Sequence, residues 1–223
     1  MTIRLACLDM AGTTVQDDGA VMSAFARAMD AAGIAEGTDE RARATQYTLD
    51  TMGTSKIEVF RAITGSDERA RDANAAFEAA YLDVIRGGAA SPIPGAEDAI
   101  RRLQENGVRV ALTTGFSPAT RDALLESLGW TDLTDLALSP ADAGRGRPFP
   151  DMILTAVVRL GVDDVRDVAV AGDTESDVLS GVRAGASIVA GVSTGTHATE
   201  EFSRAGATHV LPSVASLPGI IGL

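Results

Sequence analysis

The segment Leu5-Ala6-Cys7-Leu8-Asp9-Met10-Ala11-Gly12-Thr13-Thr14-Val15 constrains the fold more than any other part of this chain. A short apolar run ends on an aspartate, and a Gly-Thr-Thr turn follows at once. Such a run reads as a buried parallel strand that presents a carboxylate at its C-terminal edge, where open α/β sheets place their ligands. A carboxylate held there can attack phosphorus and form an aspartyl-phosphate. An aspartate that merely forms a turn at a strand end is common, but Gly12-Thr13-Thr14 behind Asp9 favours the nucleophile.

The 223 residues suffice for one sizeable core and a small accessory domain. Hydrophobic residues at 45% and charged residues at 22% are ordinary for a globular protein. Met1-Thr2-Ile3-Arg4 leads into the strand without a basic and then apolar leader, so no secretory signal is expected. No apolar run approaches the roughly 20 residues that cross a bilayer. The single cysteine, Cys7, excludes an internal disulfide and reads as a small core hydrophobe. A cytoplasmic location is the expectation. The formal net charge of −12 argues against nucleic acid and anionic membranes as partners. An anionic substrate would then have to be drawn in locally, by a metal ion and one or two placed cations.

After Val15 the pattern turns helical from about Val21 to Arg86, with Phe25, Met29 and Ala32 before Gly33 and Phe77, Tyr81 and Val84 before Gly87, and with no clear strand. Ser91-Pro92-Ile93-Pro94-Gly95 reads as a domain boundary. Strand–helix alternation then resumes, with strands expected at 108–112, 135–138, 168–171, 187–190 and 209–211. This predicts an α/β protein: a doubly wound parallel-sheet core (1–15 and 91–223) with a small α-helical cap (16–90) inserted after the first strand. A cap there could close over the C-terminal edge of the sheet and exclude water.

Three further features fall at that edge. In Leu112-Thr113-Thr114-Gly115 a strand runs into hydroxyls and glycine, a neutral cradle for phosphoryl oxygens if it is more than a plain turn. In Gly146-Arg147-Pro148-Phe149-Pro150 an arginine set in an extended loop could bind a phosphoryl group bidentately, or be a surface residue in a stiff loop. In Val168-Ala169-Val170-Ala171-Gly172-Asp173-Thr174-Glu175-Ser176-Asp177 a strand delivers two aspartates four apart. Such hard oxygen ligands suit Mg²⁺, with Asp173 joining Asp9 and Asp177 orienting a water or a backbone group. His197 and His209 lie outside these motifs and read as structural.

The order and spacing of the four motifs resemble the haloacid dehalogenase (HAD) superfamily over essentially the whole chain. The resemblance implies a Rossmannoid core, Mg²⁺ and an aspartyl-phosphate. It also implies a metal set of Asp9, Ala11, Asp173 and Asp177, and substrate contacts from Gly12, Thr13, Thr113, Thr114 and Gly115. Phosphatases of this superfamily carry a second acid two residues after the nucleophile, as proton donor to the leaving group; Ala11 stands there. The Asp-x-Ala-Gly-Thr form, with Arg147 in place of the usual lysine, resembles the phosphonatase branch, which cleaves C–P bonds.

Of 19 basic residues only Lys56 is lysine. Arginine cannot form a Schiff base, whereas a desolvated lysine can. Met52-Gly53-Thr54-Ser55-Lys56 resembles the Met-Gly-x-x-Lys segment in which phosphonatases form an imine with the substrate aldehyde, and this implies catalytic roles for Asp9, Lys56 and Arg147 and a substrate contact for Met52. The substrate side departs from that pattern, with Val59 in place of histidine, Phe116 in place of tyrosine and Met10 in place of tryptophan. The leading expectation is a Mg²⁺-dependent hydrolase for a small carbonyl phosphonate such as phosphonoacetaldehyde. The alternative is a phosphomonoesterase for a small metabolite, of phosphoglycolate-phosphatase type, with Lys56 as a plain anion contact. Dehalogenation needs no metal, which counts against it, and a catalytically silent binding domain would not need Asp9, Asp173 and Arg147 together. Cap helices often pair between subunits, which puts a homodimer among the expectations.

Overall fold

A computed structural model describes residues 2–16, 19–195 and 198–223. Among these, the strands in chain order are β1 (Leu5–Asp9), β2 (Val15–Gln16), β3 (Ser91–Pro92), β4 (Arg109–Thr113), β5 (Leu136–Leu138), β6 (Val168–Gly172), β7 (Ile188–Val192) and β8 (His209–Leu211). All but β2 and β3 form one sheet in the order β5-β4-β1-β6-β7-β8, with every neighbouring pair parallel. The helices are α1 (Ala20–Ala31), α2 (Asp39–Asp50), α3 (Lys56–Thr64), α4 (Asp67–Arg86), α5 (Ala96–Glu105), α6 (Pro118–Ser127), α7 (Pro140–Ala143), α8 (Asp151–Arg159), α9 (Glu175–Ala184), α10 (Thr199–Ala205) and α11 (Leu217–Ile220).

Alternation along β1 explains the layers. Leu5 and Cys7 point to one face, where they meet Met152, Ile153 and Ala156 of α8. Ala6 and Leu8 point to the other, in one cluster with Ile100 and Leu103 of α5 and Leu124 of α6. Both faces are therefore covered by helices, which is the doubly wound α/β arrangement. From β1 the chain builds the sheet toward β4 and β5, then returns to the other side of β1 for β6, β7 and β8. The order reverses between β1 and β6, so the end of β1 and the turn after β6 flank the crevice where such sheets bind ligands.

Strand ends differ from the sequence reading by a residue or two because register sets them. Pairing of Leu5 with Arg109 and of Asp9 with Thr113 moves β4 one residue on from 108–112. The Pro/Gly passage contains β3, which pairs antiparallel with β2 through Val15–Pro92 and Gln16–Ser91. Two residues a side are too few for alternation to reveal. Between these two strands the described residues form helices α1 to α4 and no strand. Their centre is aromatic: Phe25 lies 4.8 Å from Phe77 and 5.2 Å from Phe60, centroid to centroid. Phe116, from the loop after β4, enters the same group 4.6 Å from Tyr81. One continuous apolar cluster thus runs from the sheet into the helical insert.

Among the described residues no helix is long and apolar enough to cross a membrane. His209 lies in β8 with Nδ1 2.9 Å from the Thr208 hydroxyl, and His197 falls outside the described residues.

Candidate active site

Asp9 ends β1, Asp173 follows β6, and Asp177 sits in the first turn of α9. One carboxylate oxygen from each lies within 4.8 Å of the others, and all three residues are buried. Arg147 stands among them, also buried. Its Nη1 donates to Asp9 Oδ1 at 2.6 Å and to Asp177 Oδ1. The loop carrying it turns at Arg147–Pro148, where the peptide is cis, rather than running extended; an X–Pro bond tolerates that isomer. On either side the loop is pinned by charge pairs. Arg121 donates to Asp142 at 2.5 Å, and Arg145 grips both oxygens of Asp151 at 2.9 and 2.8 Å.

Each acid has its own holder. Thr174 caps α9 by accepting from Asp177 N–H, while Asp177 Oδ2 accepts from the Thr174 amide at 3.1 Å and its hydroxyl at 2.5 Å. The acid four residues after Asp173 is thus a capping residue as well as a site residue. The Thr13 hydroxyl donates to Asp173 Oδ1 at 3.1 Å. Gly12 has φ +89°, and a Cβ there would overlap the Asp173 carboxylate. The amides of Gly12 and Thr13 donate within the turn, to Val15 O at 2.8 Å and Met10 O at 3.1 Å. In this geometry Gly12 and Thr13 pack against the Asp173 carboxylate, and their amides are engaged within the turn. Thr113 lies level with Asp9 on the neighbouring strand. The cradle expected at Thr113-Thr114-Gly115 is partly spent, because Thr114 N–H donates to Leu138 O at 3.0 Å and its hydroxyl accepts from Phe116 N–H at 3.2 Å.

Three buried carboxylates face one guanidinium, so ionising all three would leave two negative charges uncompensated. Burial pushes Asp9 up to about 6, with Arg147 pulling it down and Asp177 pushing it further up. Asp173 is raised well above the carboxylate range by burial and then by repulsion from Asp9 and Asp177. Burial works against the Arg147 charge, but Asp177 and Asp9 outweigh it and hold the guanidinium above its ordinary value. A cluster of hard oxygen donors with excess negative charge fits a divalent cation such as Mg²⁺. Ala11 lies half-buried beside the cluster and has only main-chain atoms to offer a metal. Among the described residues, Arg147 Nε is buried without a hydrogen-bond partner, a donor suited to an anionic oxygen.

Lys56 is the first residue of α3 and is 7% exposed. Its Nζ lies 5.4 Å from the ring centre of Phe25 and 5.5 Å from that of Phe116. It lines a cavity of about 680 Å³ together with Ser55, Gly115, Phe116 and Arg147. Gly115 is where the loop before α3 meets the core: a Cβ there would come within 2.6 Å of Thr54 O. A second cavity, of about 510 Å³, is lined by Ala11, Gly12, Met52 and Asp173. Met52 therefore lines the cavity that Asp173 lines and not the one that Lys56 lines. Asp9 lines neither of these two cavities.

Three contributors escaped the sequence reading. Thr174 was hidden because its partner Asp177 already accounted for the motif. Phe25 lies far from Lys56 in sequence and looks like any core residue of an amphipathic helix. Thr194, whose hydroxyl donates to Gly12 O at 2.6 Å, lines the second cavity with Gly195. It did leave a signal, since Gly191-Val192-Ser193-Thr194-Gly195 is another strand running into hydroxyls and glycine.

A family model for haloacid dehalogenase-like hydrolases matches residues 3–185. The chain is 28% identical to "Probable phosphatase IndB" of Dickeya dadantii over 96% of its own length and 97% of that protein. It is 31% identical to phosphonoacetaldehyde hydrolase of Bacillus cereus, over 83% of this chain and 74% of that one. Among solved structures, a hydrolase from Pseudomonas syringae superposes with a TM-score of 0.84 at 22% identity, covering 97% of this chain and 96% of that chain. A phosphonoacetaldehyde hydrolase-like protein from Oleispira antarctica gives 0.82 at 24% identity, covering 99% and 92%. These two structures speak to the fold, and the family match to the chemistry: the chain belongs to the haloacid dehalogenase-like hydrolases.

Proposed function

We propose that the chain is a Mg²⁺-dependent hydrolase that works through an aspartyl-phosphate at Asp9 on a small carbonyl phosphonate such as phosphonoacetaldehyde. Lys56, in a cap formed by residues 16–90, contacts the carbonyl or forms an imine with it. One observation carries this reading: the only lysine of the chain is buried against two aromatic rings, on the wall of a cavity that Arg147 also lines. A desolvated amine is the form that adds to a carbonyl. The relative that acts on phosphonoacetaldehyde spans most of the chain.

Arg147 offers its donors to the phosphoryl oxygens, and Thr113 lies beside them. The Lys56 amine adds to the aldehyde carbon, water leaves, and a protonated imine results. As an Asp9 oxygen bonds to phosphorus, the C–P electron pair moves toward the imine and the carbon departs as an enamine. The enamine takes a proton at carbon. Water then hydrolyses the imine to free Lys56, and the acyl-phosphate to free Asp9 and phosphate. Such a leaving group needs no proton from the position of Ala11. Bound Mg²⁺, held by Asp9, Asp173 and Asp177 with the Ala11 main chain, would neutralise phosphoryl charge. In solution the protein would be a homodimer.

A second reading, a phosphomonoesterase with Lys56 as an anion contact, is favoured by Val59. That residue is buried and apolar and gives no proton shuttle one helical turn from Lys56. The phosphatase relative that spans nearly the whole chain also fits this reading. Incubation with phosphonoacetaldehyde and borohydride, followed by peptide mass mapping, separates the two. Only Lys56 and the N-terminal amine can be trapped. A reduced adduct at Lys56 is expected; no adduct while a phosphate ester still turns over with Mg²⁺ would replace the phosphonatase reading with the second one.

A further inference from the structure

The cavity lined by Lys56 and Arg147 has more room than a two-carbon substrate fills. Phosphonoacetaldehyde has roughly seven non-hydrogen atoms, and even at the roughly 30 Å³ that a water molecule occupies in the liquid, these fill no more than about 210 Å³. The cavity holds about 680 Å³. It is also chemically divided. Its buried end carries the cations Lys56 and Arg147, 7% and 5% exposed. Its more open wall carries Tyr47 of α2, Glu58 of α3, and Asn74 and Glu78 of α4.

That wall is rich in acceptors and poor in available positive charge. Asn74 Nδ2 donates to Glu78 Oε1 at 2.8 Å, which leaves the Asn74 carbonyl and the second Glu78 oxygen to accept. Glu58 is paired with Arg61 and still presents a carboxylate. The remaining cation on the rim, Arg145, is committed to Asp151 and lies over the Phe149 ring at 4.2 Å. A second phosphate or a terminal carboxylate would meet Glu58 and Glu78 with only Arg61, already shared between Glu58 and Asp67, to offset the repulsion. Hydroxyl groups would find acceptors, and Asn74 and Tyr47 add donors.

We propose that Tyr47, Glu58, Asn74 and Glu78 form a distal subsite for the hydroxyl-bearing tail of a substrate with one phosphoryl group and a carbon chain longer than two. This rests on the hydrolase reading above and names the substrate class for the same site. The Arg147 end takes the single anionic head, Lys56 faces the adjoining carbon, and the cap wall reads the tail.

The test compares phosphate release, with Mg²⁺, from glycolaldehyde phosphate, erythrose 4-phosphate, ribose 5-phosphate and fructose 1,6-bisphosphate. The expected kcat/KM is higher for the two hydroxylated monophosphates than for the two-carbon compound, and lowest for the bisphosphate. In Asn74→Leu the preference for ribose 5-phosphate over glycolaldehyde phosphate should shrink about 3- to 10-fold, the worth of one or two neutral hydrogen bonds. In Glu58→Gln/Glu78→Gln the discrimination against the bisphosphate should weaken. Equal use of short and long substrates, or an unchanged preference in Asn74→Leu, would overturn the subsite while leaving the hydrolase in place. Release from phosphonoacetaldehyde but from none of the four would overturn the subsite alone, and release from none of these, nor from p-nitrophenyl phosphate, would remove the hydrolase reading and the subsite with it.

Discussion

Lys56 and Cys7 show what burial does to two side chains of opposite usefulness. An arginine at position 56 would keep the charge and lose the nucleophilic amine. Lys56→Arg should therefore abolish adduct formation and phosphonate turnover, yet keep release from p-nitrophenyl phosphate within about 10-fold; parallel assays of the two substrates decide it. Loss of both together would make Lys56 an anion contact. Cys7, deep in β1, has its thiol pushed from 9.0 up to about 12 by burial. Between those values the folded chain holds a proton that the unfolded chain has released, so stability falls as pH rises, by up to about 1.4 kcal/mol per unit. Urea unfolding at pH 8 and pH 10 should show a steeper loss for the parent protein than for Cys7→Ala, and the parent thiol should resist Ellman's reagent at pH 8 until unfolded. Equal losses would show that the thiol is not held so high. At this scale the sequence marked Asp9, Asp173, Asp177 and Arg147, because strand ends and fixed spacings are local features. It did not reveal that Arg147 bridges Asp9 and Asp177, or that Phe25 and Phe116 flank Lys56. Those contacts join segments that only the fold brings together.

Among the elements, the loop before α3 packs closely on the core. It lies against Gly115, where an added Cβ would sit 2.6 Å from Thr54 O. Gly115 does not have the left-handed backbone that only glycine favours, so its substitution by alanine acts through this contact alone. Gly115→Ala should displace the loop and Lys56 with it, lowering kcat/KM for the phosphonate about 10²-fold, while thermal unfolding shifts little. A large fall in melting temperature with normal kinetics of the surviving fold would refute that role. The six strands of the main sheet were readable because each is a compact apolar run between turns, and register then trimmed their ends. The β2–β3 pair was not, since two residues cannot show an alternating pattern and Pro92 reads as a breaker.

For the molecule as a whole, the buried acids set the balance between stability and function. A divalent cation would let all three acids ionise, and by binding only the folded chain it should stabilise the fold, by about 2.7 kcal/mol at a hundred times its Kd. Mg²⁺ should therefore raise the melting temperature, EDTA should reverse the rise, and Asp173→Asn should lose the response; an unresponsive parent protein would argue against a metal at this cluster. The parallel sheet and the acids at its C-terminal edge follow from strand–helix alternation and could be anticipated; the strand order could not. Nor could the two cavities, because each is walled by residues from both the sheet layer and the helical insert.

The central claim is that phosphoryl transfer passes through Asp9. Rapid acid quench during turnover with Mg²⁺, followed by peptide mass spectrometry, should find a phosphoryl group on the peptide containing Asp9, and Asp9→Asn should lose both that label and turnover by at least roughly 10³-fold. Sustained turnover in Asp9→Asn, or a phosphoryl label on another residue in its place, would contradict the account.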